Sequence, residues 1–363
     1  MNFKVPIKNI YFMLCYSWGF LEQLDETKLE SIDKQNFYDF FTEVLIKSLQ
    51  PLIKKGFDRN YIQKNEEIKT IKGKIDFSNT FKKMSLKTKG TIYCDFEEYS
   101  YNVLQNQIIK TTIINLLKIE KLDKDLKQEL HKISIYFSEI DRIKLDQKIF
   151  KKVLFHRNNT IYKFIINICQ LIYENLLLND EKGEHIFRSF EENEEKMARL
   201  FEDFVRKYYQ NHRPELKPKK EQILWNFQGE NFEMLPIMET DISLLDKKSN
   251  TKYIIDTKYY KDAMRSNYNK DKFISANLYQ LFAYLNNYNN EKNYQMKGIL
   301  LYPENGKELD YSYKYKDMDI EIKTINLNQD HKNIKKKLEE IISIPDWEIE
   351  EKIFEKLSIS RTN

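Results

Sequence analysis

The run KYIIDTKYY, Lys252 to Tyr260, is apolar, β-branched and aromatic, and is interrupted by an aspartate and a lysine two residues apart. Read as a strand, it alternates its side chains between two faces, so Ile254, Asp256 and Lys258 point one way and Tyr253, Ile255 and Thr257 the other. A carboxylate and an ammonium then stand side by side. Spacing alone leaves two readings open, an exposed ion pair on a sheet or half of an active site. Acid-x-Lys triplets also occur at Glu26-x-Lys28, Glu67-x-Lys69, Asp146-x-Lys148 and Glu321-x-Lys323, and exposed ion pairs are their usual fate.

The neighbouring sequence narrows the choice. Fifteen residues before Asp256, METDISLL sets Asp241 among apolar neighbours, with Ile242 and Leu244 at strand spacing. The polar DKKSN between the two runs reads as a hairpin turn. A lone carboxylate in a core-like strand is costly unless a lysine or a metal meets it. The hairpin brings Asp241, Asp256 and Lys258 onto one face, and that set suits phosphodiester cleavage. Two carboxylates offer the hard oxygen ligands that Mg2+ prefers, with Mn2+ able to substitute. The metal neutralises phosphate charge and lowers the pKa of a bound water. The lysine orients that water and stabilises the charge developing in the transition state. Such chemistry needs neither histidine nor cysteine, in agreement with a chain holding five His and three Cys.

Further residues stand as accessories with two readings each. Glu202, in RLFEDFV, lies at the edge of a helical apolar face, as a support for the metal or as a solvated glutamate. Gln280 and Tyr284 share a helical face in NLYQLFAYL, lining the site or contacting DNA, with core packing the alternative for Tyr284. Lys217, Lys219 and Lys220, with Lys258, Lys261, Arg265, Lys270 and Lys272, are placed to follow a phosphate backbone or to be a solvated face.

The rest of the chain frames this site. A length of 363 residues favours two domains, and 41% hydrophobic residues suffice for their cores. A net charge of +4 permits nucleic-acid binding without arguing for it. Cys15, Cys94 and Cys169 lie far apart, so neither a disulfide framework nor a zinc site is expected. The N-terminus carries Pro6, Lys8 and Asn9 within its apolar stretch, and Ile161–Leu178 contains Lys163, Asn167, Gln170 and Glu174. Neither reads as a signal peptide or a membrane span, and a cytoplasmic protein is expected. Helices are predicted over 7–23, 37–53, 105–119, 125–139, 161–178 and 194–209, with a strand pair over 68–77. Asn179–His185 is the expected linker between an N-terminal domain, 1–185, and a second, 186–363. In the second, strands over 222–227, 236–245 and 252–258 precede a helix from Asp271 to Tyr288, strands over 297–303 and 319–327, and a closing helix over 330–342. The expected class is α+β or α/β, with a mixed α/β N-terminal domain and then an α-β-β-β-α-β core. No G-x-x-x-x-G-K-[ST] occurs, so no nucleotide is expected to bind through a P-loop.

That order, with Asp241 and then Asp256-x-Lys258, resembles the PD-(D/E)xK nuclease superfamily, although no proline adjoins Asp241. More closely, the chain resembles the McrC family, the nuclease subunits of McrBC restriction systems directed at 5-methylcytosine. The likeness runs through VPIKNIYFMLCYSWGFL, IKGKIDF, FEENEEKMARLFEDFV, LPIMETDI, IIDTKYY and NLYQLFAYL. It implies a type IV restriction endonuclease subunit, with Asp241 and Asp256 on Mg2+ and Lys258 assisting the attack. It also implies a partner, a hexameric McrB-like AAA+ GTPase that reads modified double-stranded DNA and is engaged and stimulated through the N-terminal domain. Two other readings are an inactive nuclease-fold adaptor for such a ring, disfavoured by the intact Asp, Asp and Lys, and a nuclease acting alone, disfavoured by the large N-terminal domain.

Overall fold

Helix α1 (Ile7–Trp18) ends where Gly19 turns left-handed at φ 74°. The amides of Gly19 and Phe20 fold back onto the carbonyls of Tyr16 and Cys15, closing the helix five residues before the expected end at Gln23. The computed structural model describes residues 5–23, 36–155, 159–176, 193–260, 264–267, 270–288 and 293–342, with backbone only at 264–267 and 270–271. Within them the chain forms two units, Ile32–Arg188 and a second that joins Met1–Ser31 to Ser189–Asn363. The expected linker Asn179–His185 lies outside the described residues. No described helix is long and apolar enough to cross a membrane.

The unit Ile32–Arg188 combines helices with a small sheet. Helix α2 (Phe37–Lys55) starts at Asn36, whose side chain accepts the Asp39 amide. Strand β1 (Asn60–Ile68) runs antiparallel to β3 (Ile92–Ser100), and β2 (Lys74–Ile75) adds to the other side of β3. The expected pair over 68–77 is therefore only an end of β1 and the short β2. Its glycine, Gly73, passes so close to β3 that a Cβ there would stand 2.3 Å from the Asp95 carbonyl oxygen. Short helices α3 (Phe77–Lys82) and α4 (Ser85–Lys89) lead into β3. After it come α5 (Leu104–Leu117), α6 (Lys124–Ile135), α7 (Gln147–Lys151) and α8 (Thr160–Leu176). The core lies between α2, α5 and α8, where Phe40, Phe41, Ile109, Ile113, Phe164 and Ile165 are buried.

The second unit is built on a five-stranded sheet. Helix α9 (Glu194–His212) is capped by Asn193 and turns Met197, Leu200, Phe201, Phe204, Val205 and Tyr208 inward, as its periodicity predicts. A two-stranded ladder of β4 (Gln222–Ile223) and β5 (Met238–Glu239) follows, far shorter than the strands expected there. Next come β6 (Ile242–Asp246) and β7 (Thr251–Thr257), paired antiparallel as the expected hairpin. Strands β8 (Met264–Asn267) and β9 (Lys270–Phe273) pair with each other, so helix α10 (Ser275–Asn287) begins later than the expected Asp271. Strands β10 (Gln295–Pro303), β11 (Asp310–Tyr315) and β12 (Met318–Ile325) and helix α11 (His331–Ile342) complete the unit. The sheet order is β11-β12-β10-β7-β6, with β10 parallel to both neighbours and the outer strands antiparallel. It is a mixed sheet, and the first expected strand stays outside it.

Helix α10 packs on one face, where Ile254, Met296, Leu300, Tyr302 and Ile322 meet Leu281, Tyr284 and Leu285. Gly298 permits this approach, since a Cβ there would stand 2.7 Å from the Leu285 side chain. Helices α9 and α11 lie against the other face; the Tyr253 hydroxyl donates to the Ile342 carbonyl and that of Tyr209 to Leu338. Helix α1 joins this second core. Its residues Asn9 to Tyr16 are all buried, Phe12 meets the Phe204 ring edge-on at 5.4 Å, and Asn9 Nδ2 donates to the carbonyls of Leu327 and Gln329, each at 2.8 Å. The sequence places α1 with the N-terminal domain because it precedes it. Its apolar surface is instead covered by elements from the far end of the chain.

Candidate active site

Strand β7 is buried along its whole length, and Asp256 stands near its C-terminal end with no exposure. The alternation places Asp256 on the face of Ile254, and Lys258 follows on the same side, its amide continuing the ladder to the Leu301 carbonyl at 2.9 Å. Lys258 Nζ lies 2.9 Å from Asp256 Oδ2. Both carboxylate oxygens are buried and neither accepts a well-formed hydrogen bond; Oδ2 meets Lys258 as an ion pair, and Oδ1 has no such contact. Burial pushes the Asp256 carboxyl up to about 7; Lys258 opposes this, and Asp241 and Glu202 add to it. Burial also works against the Lys258 ammonium, but the Asp256 and Asp241 carboxylates outweigh it and hold Lys258 above the usual lysine range.

Asp241 sits in the two-residue break between β5 and β6, one position before the Ile242–Ile255 rung. Its Oδ2 accepts two hydrogen bonds from Thr257, amide and hydroxyl, each at 2.8 Å. Burial, then Glu202, raise the Asp241 carboxyl, and the Thr257 bonds oppose them. The hairpin thus couples Asp241 to the residue between Asp256 and Lys258. Glu202 approaches from α9, where its Oε1 takes Arg206 at 2.8 Å and Lys220 at 2.6 Å.

On the other side, α10 presents Gln280 and Tyr284. Lys258 Nζ donates to Gln280 Oε1 at 2.9 Å, Gln280 Nε2 donates to the Tyr284 hydroxyl at 2.7 Å, and that hydroxyl donates to the Glu239 carbonyl at 2.9 Å. With its proton on the carbonyl, the tyrosine oxygen accepts, and this fixes the Gln280 amide with its oxygen toward the lysine. Tyr284 serves both readings, its ring in the core and its hydroxyl in the site.

A second acid–lysine pair, between Lys252 of β7 and Glu221 just before β4, shows the contrast. Lys252 donates to Glu221 Oε2 at 2.6 Å, and the Ser243 hydroxyl donates to the same oxygen at 2.6 Å. Against the burial that would raise it, Lys252, Ser243 and Lys219 hold Glu221 down at about 2. That pair is satisfied and structural; the orphaned Oδ1 of Asp256 is not.

Among the lysines expected to follow a phosphate backbone, Lys219 pairs with Glu221 at 3.0 Å and Lys220 with Glu202, while Lys217 and Lys272 are exposed. Lys261 and the side chains of Arg265 and Lys270 lie outside the described residues. No three His, Cys, Asp or Glu among the described residues converge to cage a metal ion. Two carboxylates are what this site offers. The sequence reading missed Arg206 and Thr257; only the i,i+4 spacing of Glu202 and Arg206 was a visible signal.

Comparison with known proteins places the chain in a family. A family model for the McrBC 5-methylcytosine restriction system component matches residues 7–303. The chain is 31% identical over 329 residues to the type IV methyl-directed restriction enzyme EcoKMcrBC of Escherichia coli (strain K12), covering 90% of this chain and 94% of that protein. In fold it is similar to a chain of the half-complex from a tetradecameric assembly of Thermococcus gammatolerans McrB AAA+ hexamers with bound McrC. The TM-score is 0.51 at 18% identity, over 90% of this chain and 76% of that one. The chain belongs to the McrBC 5-methylcytosine restriction system component family.

Proposed function

We propose that the chain is the DNA-cutting subunit of a GTP-dependent, modification-dependent restriction complex, a Mg2+-dependent endonuclease of the PD-(D/E)xK type working in the cytoplasm on 5-methylcytosine-containing DNA. The observation that carries this reading is the buried Asp256, with one oxygen at Lys258 and the other unpartnered, beside a second carboxylate on the next strand. A buried carboxylate oxygen without a partner is costly, and a divalent cation is the group that satisfies it. Mg2+ needs only one or two carboxylates, because it keeps waters and takes phosphate oxygens for the rest. Asp241 and Asp256 fit that requirement.

Mg2+ held there neutralises phosphate charge and lowers the pKa of a bound water. The chain's own residues supply the orientation. Asp256 and Gln280 hold the Lys258 ammonium from two sides, which would keep its charge beside the carboxylates to stabilise negative charge developing on a phosphate. Thr257 keeps Asp241 turned toward β7 through a single oxygen.

The partner is an AAA+ ring, like the McrB AAA+ hexamers of the Thermococcus gammatolerans assembly, and we assign GTP turnover to it, since this chain has no P-loop. The unit Ile32–Arg188 is the part that engages the ring. It exposes Ile71, Phe77, Phe81, Met84 and Leu86 around α3 and α4, an apolar set that a protein partner would cover.

The test is cleavage of methylated plasmid with Mg2+, with and without the GTPase and GTP, using Lys258→Ala as control. Cutting only in the full mixture, lost in Lys258→Ala while GTP turnover is still stimulated, is the expected result. Stimulated turnover with no cutting by the wild type would make the chain an adaptor, and cutting without the GTPase would make it a nuclease that acts alone.

A further inference from the structure

Arg206 lies one turn after Glu202 on α9, with its side chain only 11% exposed. Its Nη1 donates to Glu202 Oε1 at 2.8 Å and to the backbone carbonyl of Asp241 at 3.3 Å, and its Nη2 donates to Asp203 Oδ1. We infer that Arg206 is a positioning residue of the nuclease site: it fixes the main chain of Asp241, and through it the aim of the Asp241 carboxylate at the divalent cation. This rests on the metal-site reading above.

The strand path is broken at Asp241. Residues 240 and 241 belong to neither β5 nor β6; Thr240 is tied to Glu221, its amide donating to the Glu221 carbonyl at 2.9 Å, and the ladder resumes only at Ile242. Two further contacts hold Asp241 itself. Thr257 anchors the Asp241 side chain from β7, and Arg206 anchors its carbonyl from α9. Without the second, Asp241 could rotate about its tether to Thr257, and the carboxylate would lose its direction.

Charge pairing accounts for the arginine's contact with Asp203 but not for its reach to the Asp241 carbonyl. Glu202 already has a cation in Lys220 on the same oxygen, at 2.6 Å. What Arg206 adds is the planar fork, which reaches Glu202, Asp203 and the Asp241 carbonyl together, where a lysine's point charge cannot.

The test is calorimetric titration of the full chain with Mn2+, using Arg206→Lys, Asp203→Asn and Asp256→Asn. Arg206→Lys keeps the charge and removes the fork, so positioning predicts affinity about 10- to 100-fold weaker, the usual effect of losing an outer-shell partner. Asp203→Asn removes a negative charge and leaves the guanidinium on Asp241, so positioning predicts affinity close to wild type. A purely electrostatic role predicts the reverse pair, with Arg206→Lys unchanged and Asp203→Asn weakened, and that result would overturn the inference. If Arg206→Lys does not fold, Asp203→Asn still decides, since weakening there contradicts positioning. Wild type that binds Mn2+, with Asp256→Asn that does not, shows the metal site to be real, so an unaffected Arg206→Lys then defeats only the arginine's role. Wild type that takes up no Mn2+ defeats both.

Discussion

At the scale of single residues, the site stores an electrostatic cost in Asp256. Its carboxyl, raised to about 7 chiefly by burial, binds a proton more tightly in the folded chain than in the unfolded one, where the value is about 3.9. The sign follows from linkage. The stability this group contributes is fully present below about pH 4, and it is lost as pH rises between about 4 and 7. Metal-free Asp256→Asn is therefore expected to melt above wild type at pH 8, by roughly 2–4 °C for each kcal/mol relieved, with little difference near pH 4. Thermal melts in a chelator at the two pH values measure this, and a mutant that melts below wild type at pH 8 would contradict it. Asp241, Asp256 and Lys258 were legible in the sequence because strand alternation and a short hairpin fix where they face. Arg206 was not. Its contact with a backbone carbonyl depends on how α9 lies across the sheet, which no local pattern encodes.

The element scale shows how the sheet face is kept free for α10. Leu281 and Leu285 come so close to β10 that only a residue without Cβ fits at position 298 undisturbed. Gly298→Val is expected to cost about 1–3 kcal/mol, as overpacking does, and to lower the melting temperature. Because α10 also carries Gln280, the same substitution should reduce cleavage even though it touches no residue of the site. Unchanged melting and cleavage would show that the helix yields freely. The long amphipathic helices and the hairpin were readable from periodicity. The early start assigned to α10, at Asp271, failed because Lys270–Phe273 is short and polar, and its pairing with Met264–Asn267 leaves no apolar alternation to read. β1 and β3 escaped for a similar reason: most of their residues are exposed or half-buried, so neither face is apolar enough to mark a strand.

At the scale of the whole molecule, the unit that carries the candidate site is discontinuous in sequence, drawing α1 from residues before Ile32. A fragment beginning at residue 186, the boundary that sequence suggests, would uncover Phe204 and leave the carbonyls of Leu327 and Gln329 without Asn9. Such a fragment is expected to melt well below the corresponding transition of the full chain, and a peptide of residues 1–23 should raise its melting temperature on addition. A fragment as stable alone as in the full chain, indifferent to the peptide, would show α1 to be dispensable. Chain order hid this arrangement, since an apolar helix at the start of a sequence looks like part of whatever follows it.

The placement of α1 also bears on how the chain emerges from the ribosome. Domains generally fold as units in the order of synthesis, and Ile32–Arg188 is released whole before any of the big sheet exists. Through all of that time α1 has to wait, because the carbonyls that receive Asn9 belong to Leu327 and Gln329, more than 300 residues later. A nascent chain that already carries Asp241, Asp256 and Lys258 thus does not yet have the finished fold around them. Asn9 must first meet Leu327 and Gln329, and a product that stops short of them is left without that closure.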